Sequence, residues 1–284
     1  MSTTTPRHIV EKKQQGGKLA MLTAYDTPFA RIIDGCGIDI ILVGDSVANV
    51  VLGMESTRQV DIDVMLHHAR AVCRGVSRAL VVGDLPYATC QKSAEGVLAD
   101  ARRFLEDAGC GAVKIEWFKD CLPVVQTLIR AGVPVMGHVG LTPQTAEELG
   151  GYKVQGKGAE SARAILEQAA LFEDAGCFAV VLECIPDRLA GLITRHLTIP
   201  TIGIGAGVQC DGQVLVLHDI LGLFDRFRPK FVKTYVHLDT IVQQAVRAFQ
   251  EDVRDGVFPE AQHRYTIADE EYHKLQSWLG SKQG

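Results

Sequence analysis

The chain has 284 residues, of which 47% are hydrophobic, and its formal net charge is −5. This length suits one large α/β domain or two small ones, and the negative charge with no dense Lys/Arg cluster argues against a nucleic-acid partner. Apolar runs stay far below a membrane span, and the first residues lack the apolar core of a secretory signal, so we expect a cytoplasmic protein with no membrane partner.

Strand and helix patterns alternate along the chain. Short apolar, β-branched runs predict buried parallel strands near residues 19–24, 39–45, 79–84, 112–116, 134–139, 179–183, 200–204 and 230–235. Helices are predicted near residues 27–35, 63–75, 93–108, 121–131, 160–175, 186–197, 212–220 and 238–255. Eight of each favour a single (β/α)8 TIM barrel over residues 1–263, with a doubly wound sheet as the rival. Residues 264–284 are predicted to be a C-terminal extension with a short helix outside the barrel.

An internal repeat supports the barrel. The segment LEDAGCGAVKIE at 105–116 nearly matches FEDAGCFAVVLE at 172–183, an offset of 67 residues. Each copy reads as the end of a helix, a glycine stop and a strand that ends in glutamate. The offset is the length of about two βα units, as expected for a barrel.

Four of the predicted strands end in an acidic residue: Asp45, Asp84, Glu116 and Glu183. Acids at the carboxyl ends of parallel strands converge at the mouth of a barrel, where catalytic groups lie. Three of them, on consecutive strands, offer only oxygen ligands, which predicts a Mg²⁺ or Mn²⁺ site formed by Asp45, Asp84 and Glu116. Capping of loops or pairing with Lys and Arg is the alternative for each acid taken alone.

Other polar residues at the strand ends have two interpretations each. Lys114 shares a face with Glu116, so it either binds an anionic substrate or forms a structural ion pair. His138 ends the fifth strand and either donates a hydrogen bond to a substrate or is a satisfied histidine inside the barrel. Glu183 lies apart from the other acids and is either a general base, a fourth metal ligand or a salt-bridged acid.

Two glycine-rich segments and the cysteines carry weaker signals. GIGAG at 203–207 is either an anion-binding loop or a tight turn, and GGYKVQGKG at 150–158 is a basic loop that could close over a ligand. The eight cysteines contain no CxxC pair, so most are interpreted as small buried hydrophobic residues in a reducing compartment.

Several motifs, in order along the chain, resemble the ketopantoate hydroxymethyltransferase family. They are VGDS (43–46), DLP (84–86), VKIE (113–116), GHVGLTPQ (137–144), GGYKVQGKG (150–158), VLE (181–183), IPTIGIGAG (199–207) and DGQVLVLHD (211–219). The resemblance runs from about residue 8 to about residue 263. It implies a (β/α)8 barrel of the phosphoenolpyruvate/pyruvate type with a divalent metal, Mg²⁺ or Mn²⁺. It also implies transfer of a hydroxymethyl group from 5,10-methylenetetrahydrofolate to 3-methyl-2-oxobutanoate, through a metal-stabilised enolate, to form 2-dehydropantoate for pantothenate and coenzyme A synthesis.

The resemblance assigns roles residue by residue. The family's metal ligands fall on Asp45, Asp84 and Glu116, and its general base falls on Glu183. Its substrate-binding residues fall on Asp45, Ser46, Asp84, Lys114 and His138, which favours the functional interpretation of Lys114 and His138. The family also forms homo-oligomers, often decamers, so the resemblance implies a homo-oligomer here.

The sequence departs from the family pattern at three places: Val47–Asn49, Met54–Gln59 and Trp117–Phe118. These changes leave the metal and base positions intact and affect the shape of the mouth, hence the expected range of substrates and the affinity for folate. Two rival functions share the predicted fold. One is a lyase of the phosphoenolpyruvate mutase and isocitrate lyase type, which would not use folate, and the other is a non-catalytic ligand-binding barrel.

Overall fold

The computed structural model describes residues 3–224, 226 and 228–282. The chain divides into two compact units, and the division falls between Tyr235 and Val236. The predicted domain limits, 1–263 and 264–284, stay predictions, and the compact unit that holds the sheet ends at Tyr235.

The first unit contains eight parallel strands that close into a barrel in chain order. The strands are β1 (Leu19–Thr23), β2 (Ile40–Val43), β3 (Leu80–Asp84), β4 (Ala112–Glu116), β5 (Val135–Gly140), β6 (Ala179–Glu183), β7 (Thr201–Ile204) and β8 (Gly212–Leu215). The barrel closes where β8 pairs with β1, Val214 lying beside Met21. The predicted (β/α)8 fold is confirmed.

One helix, α1, precedes the first strand, and the other helices of this unit follow the strands. The helices are α1 (Pro6–Gln14), α2 (Thr27–Gly35), α3 (Val47–Val50), α4 (Ile62–Cys73), α5 (Tyr87–Cys90), α6 (Ala94–Arg102), α7 (Cys121–Arg130), α8 (Ala159–Ala175), α9 (Asp187–His196) and α10 (Leu217–Leu221). A π-helical turn, Arg103–Asp107, continues α6 toward β4. Asp26, Asp61 and Ser93 cap α2, α4 and α6, each accepting a backbone hydrogen bond from the first turn.

Alternation of side chains along the strands produces two apolar layers. Inward-facing residues such as Met21, Leu42 and Met136 fill the barrel, while Val43, Val113 and Ile115 pack outward against the helices. Both faces of β2 to β6 are covered, so these strands are near-continuous apolar runs, and their buried charged side chains lie in the carboxyl-terminal half of each strand or just after it.

Helix α1 closes the amino-terminal end of the barrel. Ile9 is 1% exposed and joins the inner apolar layer beside Leu19. Lys12 pairs with Asp39, just before β2, and Lys13 pairs with Asp211, just before β8. These ion pairs tie α1 to the starts of both strands that flank β1. With this end closed, the opposite end, where the strands terminate, is where a substrate can enter.

The predicted eighth strand is wrong. Residues 230–235 form no strand; the eighth strand is β8, inside the segment where the sequence predicts a helix at 212–220. β8 contains a glycine and a glutamine, and only alternate residues are buried, so it lacks the apolar run that marks the other strands.

The second unit contains two helices, α11 (Leu238–Arg254) and α12 (Asp269–Ser281). The predicted helix at 238–255 and the short helix in the extension are thus present. Every residue from Asp239 to Arg254 is exposed, including the apolar Val242, Val246 and Phe249, which share one face of α11. Within the described residues, no helix combines the length and the apolarity needed to span a bilayer.

Candidate active site

The acids predicted at the strand ends come together at the carboxyl-terminal mouth of the barrel. Asp84 lies in register with Lys114, Glu116 with His138, and Glu183 with Gly140. Asp45 follows β2 by two residues, and its backbone N–H donates to Asp84 Oδ2 at 3.2 Å. All of these residues except Gly140 were predicted as site residues, and the closed barrel brings them into one cluster.

Lys114 lies among the carboxylates. Its Nζ is 2.8 Å from Asp84 Oδ1 and 3.8 Å from Glu116 Oε1, and all three side chains are buried. Burial alone would lower the pKa of Lys114, but the charges of Asp84 and Glu116 outweigh this and raise it. Lys114 is therefore a fixed positive charge at physiological pH.

His138 lies between two carboxylates. Its Nδ1 is 3.4 Å from Glu116 Oε1, and its Nε2 is 3.3 Å from Glu183 Oε2. Burial and the nearby Lys114 act to lower the pKa of His138, whereas its contacts with Glu116 and Glu183 raise it to about 9. The imidazole is then protonated at neutral pH and provides a second positive charge at the mouth.

Burial and mutual repulsion act on the two aspartates. The pKa of Asp45 is raised well above its ordinary value by burial and by the charges of Asp84 and Glu116. Burial likewise raises the pKa of Asp84, against the lowering effect of Lys114. These carboxylates would be stabilised in their ionised form by additional positive charge.

Gln144 is a site residue that the sequence did not single out by chemistry. Its side-chain amide donates to Asp45 Oδ2 and to the Leu85 carbonyl, both at 3.0 Å, and its backbone N–H donates to Glu116 Oε2 at 3.0 Å. Gln144 thus joins two acids on different strands. Its only sequence signal is its position at the end of the GHVGLTPQ motif.

Ser46 lies at the rim rather than inside the cluster. It precedes α3, and its Oγ lies 2.8 Å from the hydroxyl of the buried Tyr25. Burial, opposed by hydrogen bonds with Ser46 and Thr23, raises the pKa of Tyr25, so this phenol stays neutral. Tyr25 was not predicted, and it fixes the orientation of a predicted substrate-binding hydroxyl.

Glu183 differs from the other acids in its exposure. Its side chain is 15% exposed, against 2% for Asp84 and 3% for Glu116. Its carboxylate contacts His138, and its backbone carbonyl accepts from Leu141 N–H at 2.9 Å. Glu183 is therefore held in place and remains open to a molecule entering the mouth.

The donor set suits a divalent cation. Asp84 Oδ1 is buried and faces the Lys114 ammonium, yet it accepts no well-directed hydrogen bond from the described residues, so one lone-pair direction is open. Carboxylate oxygens without nitrogen or sulfur are the ligands that Mg²⁺ and Mn²⁺ prefer. In the described part of the chain, no three His, Cys, Asp or Glu side chains enclose a metal position by themselves.

A cavity lies between the residues that follow β4, the segment that connects β5 to α8, and α8 itself. Its volume is about 320 Å³, and its walls include Trp117, Phe118, Thr142 and Gln168. Gly140, the register partner of Glu183, also lines it. The segment at 150–158 is anchored next to Glu183, since Gln155 N–H donates to the Cys184 carbonyl at 2.9 Å.

The glycine-rich segment at 203–207 is a packed turn. Gly205 and Gly207 have positive φ values of 63° and 82°, which favour glycine. A side chain at Gly205 would meet Phe231, and one at Gly207 would meet Asp187. This packing agrees with the tight-turn interpretation.

The closed parallel barrel, with buried acids around a lysine and a histidine at its mouth, is a (β/α)8 barrel, and solved structures share this fold. A phosphonopyruvate hydrolase superposes with a TM-score of 0.61 at 14% identity, over 99% of this chain and 98% of that one. A 2,3-dimethylmalate lyase of the phosphoenolpyruvate mutase/isocitrate lyase superfamily superposes with a TM-score of 0.58 at 14% identity, over 98% of this chain and 100% of that one. At this identity the likeness concerns the fold alone.

Sequence comparison identifies the family. Residues 3–261 match the model of the ketopantoate hydroxymethyltransferase family, and the chain belongs to that family. The 3-methyl-2-oxobutanoate hydroxymethyltransferase of Oleidesulfovibrio alaskensis is 55% identical over 91% of this chain and 90% of its own length. The enzyme of that name from Carboxydothermus hydrogenoformans is 48% identical over 95% of this chain and 98% of its own length. The resemblance seen in the motifs is confirmed.

Proposed function

We propose that this protein transfers a hydroxymethyl group from 5,10-methylenetetrahydrofolate to 3-methyl-2-oxobutanoate, forming 2-dehydropantoate. Membership of the family supports the reaction, since relatives that carry this enzyme name align over nearly their whole length. The observation that carries the proposal is the difference in burial among the four acids. Asp45, Asp84 and Glu116 are buried together, while Glu183 stands apart and open to the mouth.

The positive charges would bind the oxo acid. Lys114 and the protonated His138 lie 3.4 Å apart, close enough to contact the same small anion. Carboxylates hold both side chains in place before the substrate binds. Little reorganisation free energy is therefore needed when negative charge develops on the keto oxygen. Ser46, fixed by Tyr25, would donate a further hydrogen bond at the rim.

Glu183 would act as the general base. Because its carboxylate contacts His138 and not the other acids, it would stay off a cation bound beside Asp84 and remain free to reach the substrate. It would accept the proton from C3 of 3-methyl-2-oxobutanoate, leaving an enolate whose C3 forms the new bond to the one-carbon unit.

Asp45, Asp84 and Glu116 would hold a divalent cation, Mg²⁺ or Mn²⁺. When bound, the cation would polarise the 2-oxo acid and acidify the carbon beside its carbonyl. The open lone pair of Asp84 and the raised pKa values of Asp45 and Asp84 support this assignment. The three acids do not enclose a position alone, so water or substrate would supply the remaining oxygens.

The neighbouring cavity would receive part of the folate cosubstrate. Its volume of about 320 Å³ falls within the range of small-molecule sites, and Trp117 and Phe118 offer aromatic surface for a planar ring. Its position beside Gly140 would bring the one-carbon unit toward the carbon that Glu183 deprotonates.

Exposed apolar residues on α11 support the proposal of a homo-oligomer. The family resemblance suggests that this oligomer is a decamer. A helix whose Val242, Val246 and Phe249 are all more than 45% exposed has an apolar face that another surface would cover. We place the working protein in the cytoplasm, where folate cosubstrates and oxo acids are available to it.

The direct test is product formation from labelled substrate. Purified protein with Mg²⁺, 3-methyl-2-oxobutanoate and ¹³C-labelled 5,10-methylenetetrahydrofolate should give 2-dehydropantoate labelled in its hydroxymethyl carbon, followed by ¹³C NMR. Cleavage of a 2,3-disubstituted malate with no transfer of label would favour the lyase on the same fold. Binding of the oxo acid without turnover or exchange would favour the non-catalytic barrel.

A further inference from the structure

Two cysteines far apart in the sequence face each other outside the mouth of the barrel. Cys73 is the last residue of α4, and Cys110 lies in the loop that enters β4. Their sulfur atoms are 3.9 Å apart and within hydrogen-bonding distance. All eight cysteines of the chain are free thiols.

The backbone holds this pair in position. Cys110 N–H donates to the Phe104 carbonyl at 2.9 Å, and Arg74 N–H, next to Cys73, donates to the Arg70 carbonyl at 3.2 Å. A disulfide has a sulfur–sulfur distance of about 2.05 Å, so the sulfurs would have to approach by about 2 Å.

The pair combines an accessible thiol with a protected one. Cys73 is partly exposed, whereas Cys110 is 5% exposed. A cavity of about 110 Å³ adjoins Cys73, with Thr4, Val76 and Gly109 among its walls. This volume admits a molecule of the size of water or hydrogen peroxide to the sulfur.

The two sulfurs also differ in acidity. The hydrogen bond from Cys110 lowers the pKa of Cys73, although burial acts in the opposite direction. Burial instead raises the pKa of Cys177 and of Cys184, each to about 12. Because the thiolate is the reactive form, oxidation should begin at Cys73.

We propose that Cys73 and Cys110 form a peroxide-sensitive thiol pair that closes reversibly to a disulfide. The Cys73 thiolate attacks hydrogen peroxide, its sulfur gains one oxygen to become a sulfenic acid, and hydroxide leaves. The Cys110 sulfur then attacks the Cys73 sulfur, the S–O bond breaks, and water departs with the proton of the Cys110 thiol. Two thiols are oxidised, one peroxide is reduced to two waters, and dithiothreitol reverses the change.

The location of the pair separates it from catalysis. Cys110 precedes β4, while Lys114 and Glu116 lie toward the opposite end of that strand. Replacing Cys73 by serine should therefore leave the basal transferase activity unchanged. The disulfide would tie α4 to the start of the strand that carries two site residues, which should raise the thermal midpoint of the oxidised protein.

Peptide mapping of the full-length protein tests the proposal. The protein is titrated with hydrogen peroxide, alkylated, digested without reductant and analysed by mass spectrometry. We expect a linked pair of peptides containing Cys73 and Cys110, lighter than the two thiol peptides by about 2 Da, and its loss after dithiothreitol. C110S should instead accumulate a sulfenic acid on Cys73, detectable with dimedone, and C73S should give neither product.

Cys36 provides the matched control, since it is the exposed cysteine of the chain. C36S should keep the crosslink and the same peroxide dependence. Wild-type protein in which Cys73 and Cys110 remain alkylatable at peroxide doses that oxidise Cys36 would overturn the proposal. So would a crosslink that persists in C110S, because another cysteine would then be the partner.

Discussion

Replacement of Gln144 by methionine tests how the acids at the mouth are held. Gln144 is 3% exposed, and its side-chain amide donates two hydrogen bonds, to Asp45 Oδ2 and to the Leu85 carbonyl, both at 3.0 Å. Methionine has nearly the same length and volume but no donor, so the substitution removes both bonds and creates little cavity. The backbone bond from residue 144 to Glu116 stays.

The expected magnitude follows from these contacts. Each buried acceptor left unpaired costs about 1–3 kcal/mol, and the cost at Asp45 is larger because its oxygen is charged. Since the hydrogen bond from Gln144 lowers the pKa of Asp45, its loss should move that pKa further upward and favour the protonated acid. A protonated Asp45 is a poor cation ligand, and loss of such a supporting contact typically costs 10- to 100-fold in metal affinity.

The assay is activity against Mg²⁺ concentration at fixed, saturating substrates. We expect Gln144→Met to need about 10- to 100-fold more Mg²⁺ for half-maximal activity, with the maximal rate largely recovered. Gln126→Met is the control, because Gln126 is an exposed residue of α7 and should leave the Mg²⁺ dependence unchanged. An unchanged Mg²⁺ requirement in Gln144→Met would refute the role given to this amide.

Three further predictions concern other parts of the chain. Asp34 accepts hydrogen bonds from Ser77, Arg78 and Ala79, and these hold its pKa below the ordinary value although burial acts to raise it. Its contribution to stability is therefore complete above about pH 4 and lost as the pH falls through the lowered pKa, so urea denaturation should show a shallower acid loss in Asp34→Asn. Phe118→Ala should raise the KM for 5,10-methylenetetrahydrofolate several-fold and leave the KM for 3-methyl-2-oxobutanoate unchanged; equal changes in both would count against the cavity as the folate site. Val246→Asp should reduce the oligomer size seen by light scattering, whereas a monomeric wild-type protein would contradict the proposed assembly.

The sequence predicts those parts of the fold that depend on local apolar runs. Seven strands were located within two residues because each is a short apolar run. β8 was missed because its GQVL sequence has no such run, and its place is set by pairing with β1 and β7. Helix α3 has four residues, too few for a helical period to be recognised.

The site shows the same limit. Acids at strand ends are conspicuous against apolar neighbours, so Asp84, Glu116 and Glu183 were found from pattern alone. Gln144 and Tyr25 lie outside the strands and contribute through contacts with residues distant in sequence, Asp45 and Ser46. Only the closed barrel reveals those contacts, because loop residues of their types are common and carry no periodic signal.

The two glutamates of the internal repeat illustrate how equivalent sequence positions acquire different chemistry. Glu116 ends β4 and Glu183 ends β6, in matching segments. Lys114 and Gln144 surround Glu116 and leave it 2% exposed, and its pKa is lowered because contacts with His138 and Lys114 outweigh burial. Glu183 lies at the open side of the mouth and has none of these partners except His138.

The exchange of the C3 proton in Glu183→Gln tests the central claim most directly. Glutamine keeps the size of the side chain and removes its basicity, and loss of a general base typically slows a reaction by about 100- to 10,000-fold, or about 2.7–5.4 kcal/mol in barrier height. Proton NMR of 3-methyl-2-oxobutanoate in deuterated buffer with Mg²⁺ follows the step without the folate cosubstrate. Glu167→Gln, a surface change on α8 that removes an exposed pair with Arg163, should exchange at the wild-type rate. The account predicts that Glu183→Gln binds the oxo acid normally and has almost no exchange; exchange at the wild-type rate would show that another group is the base.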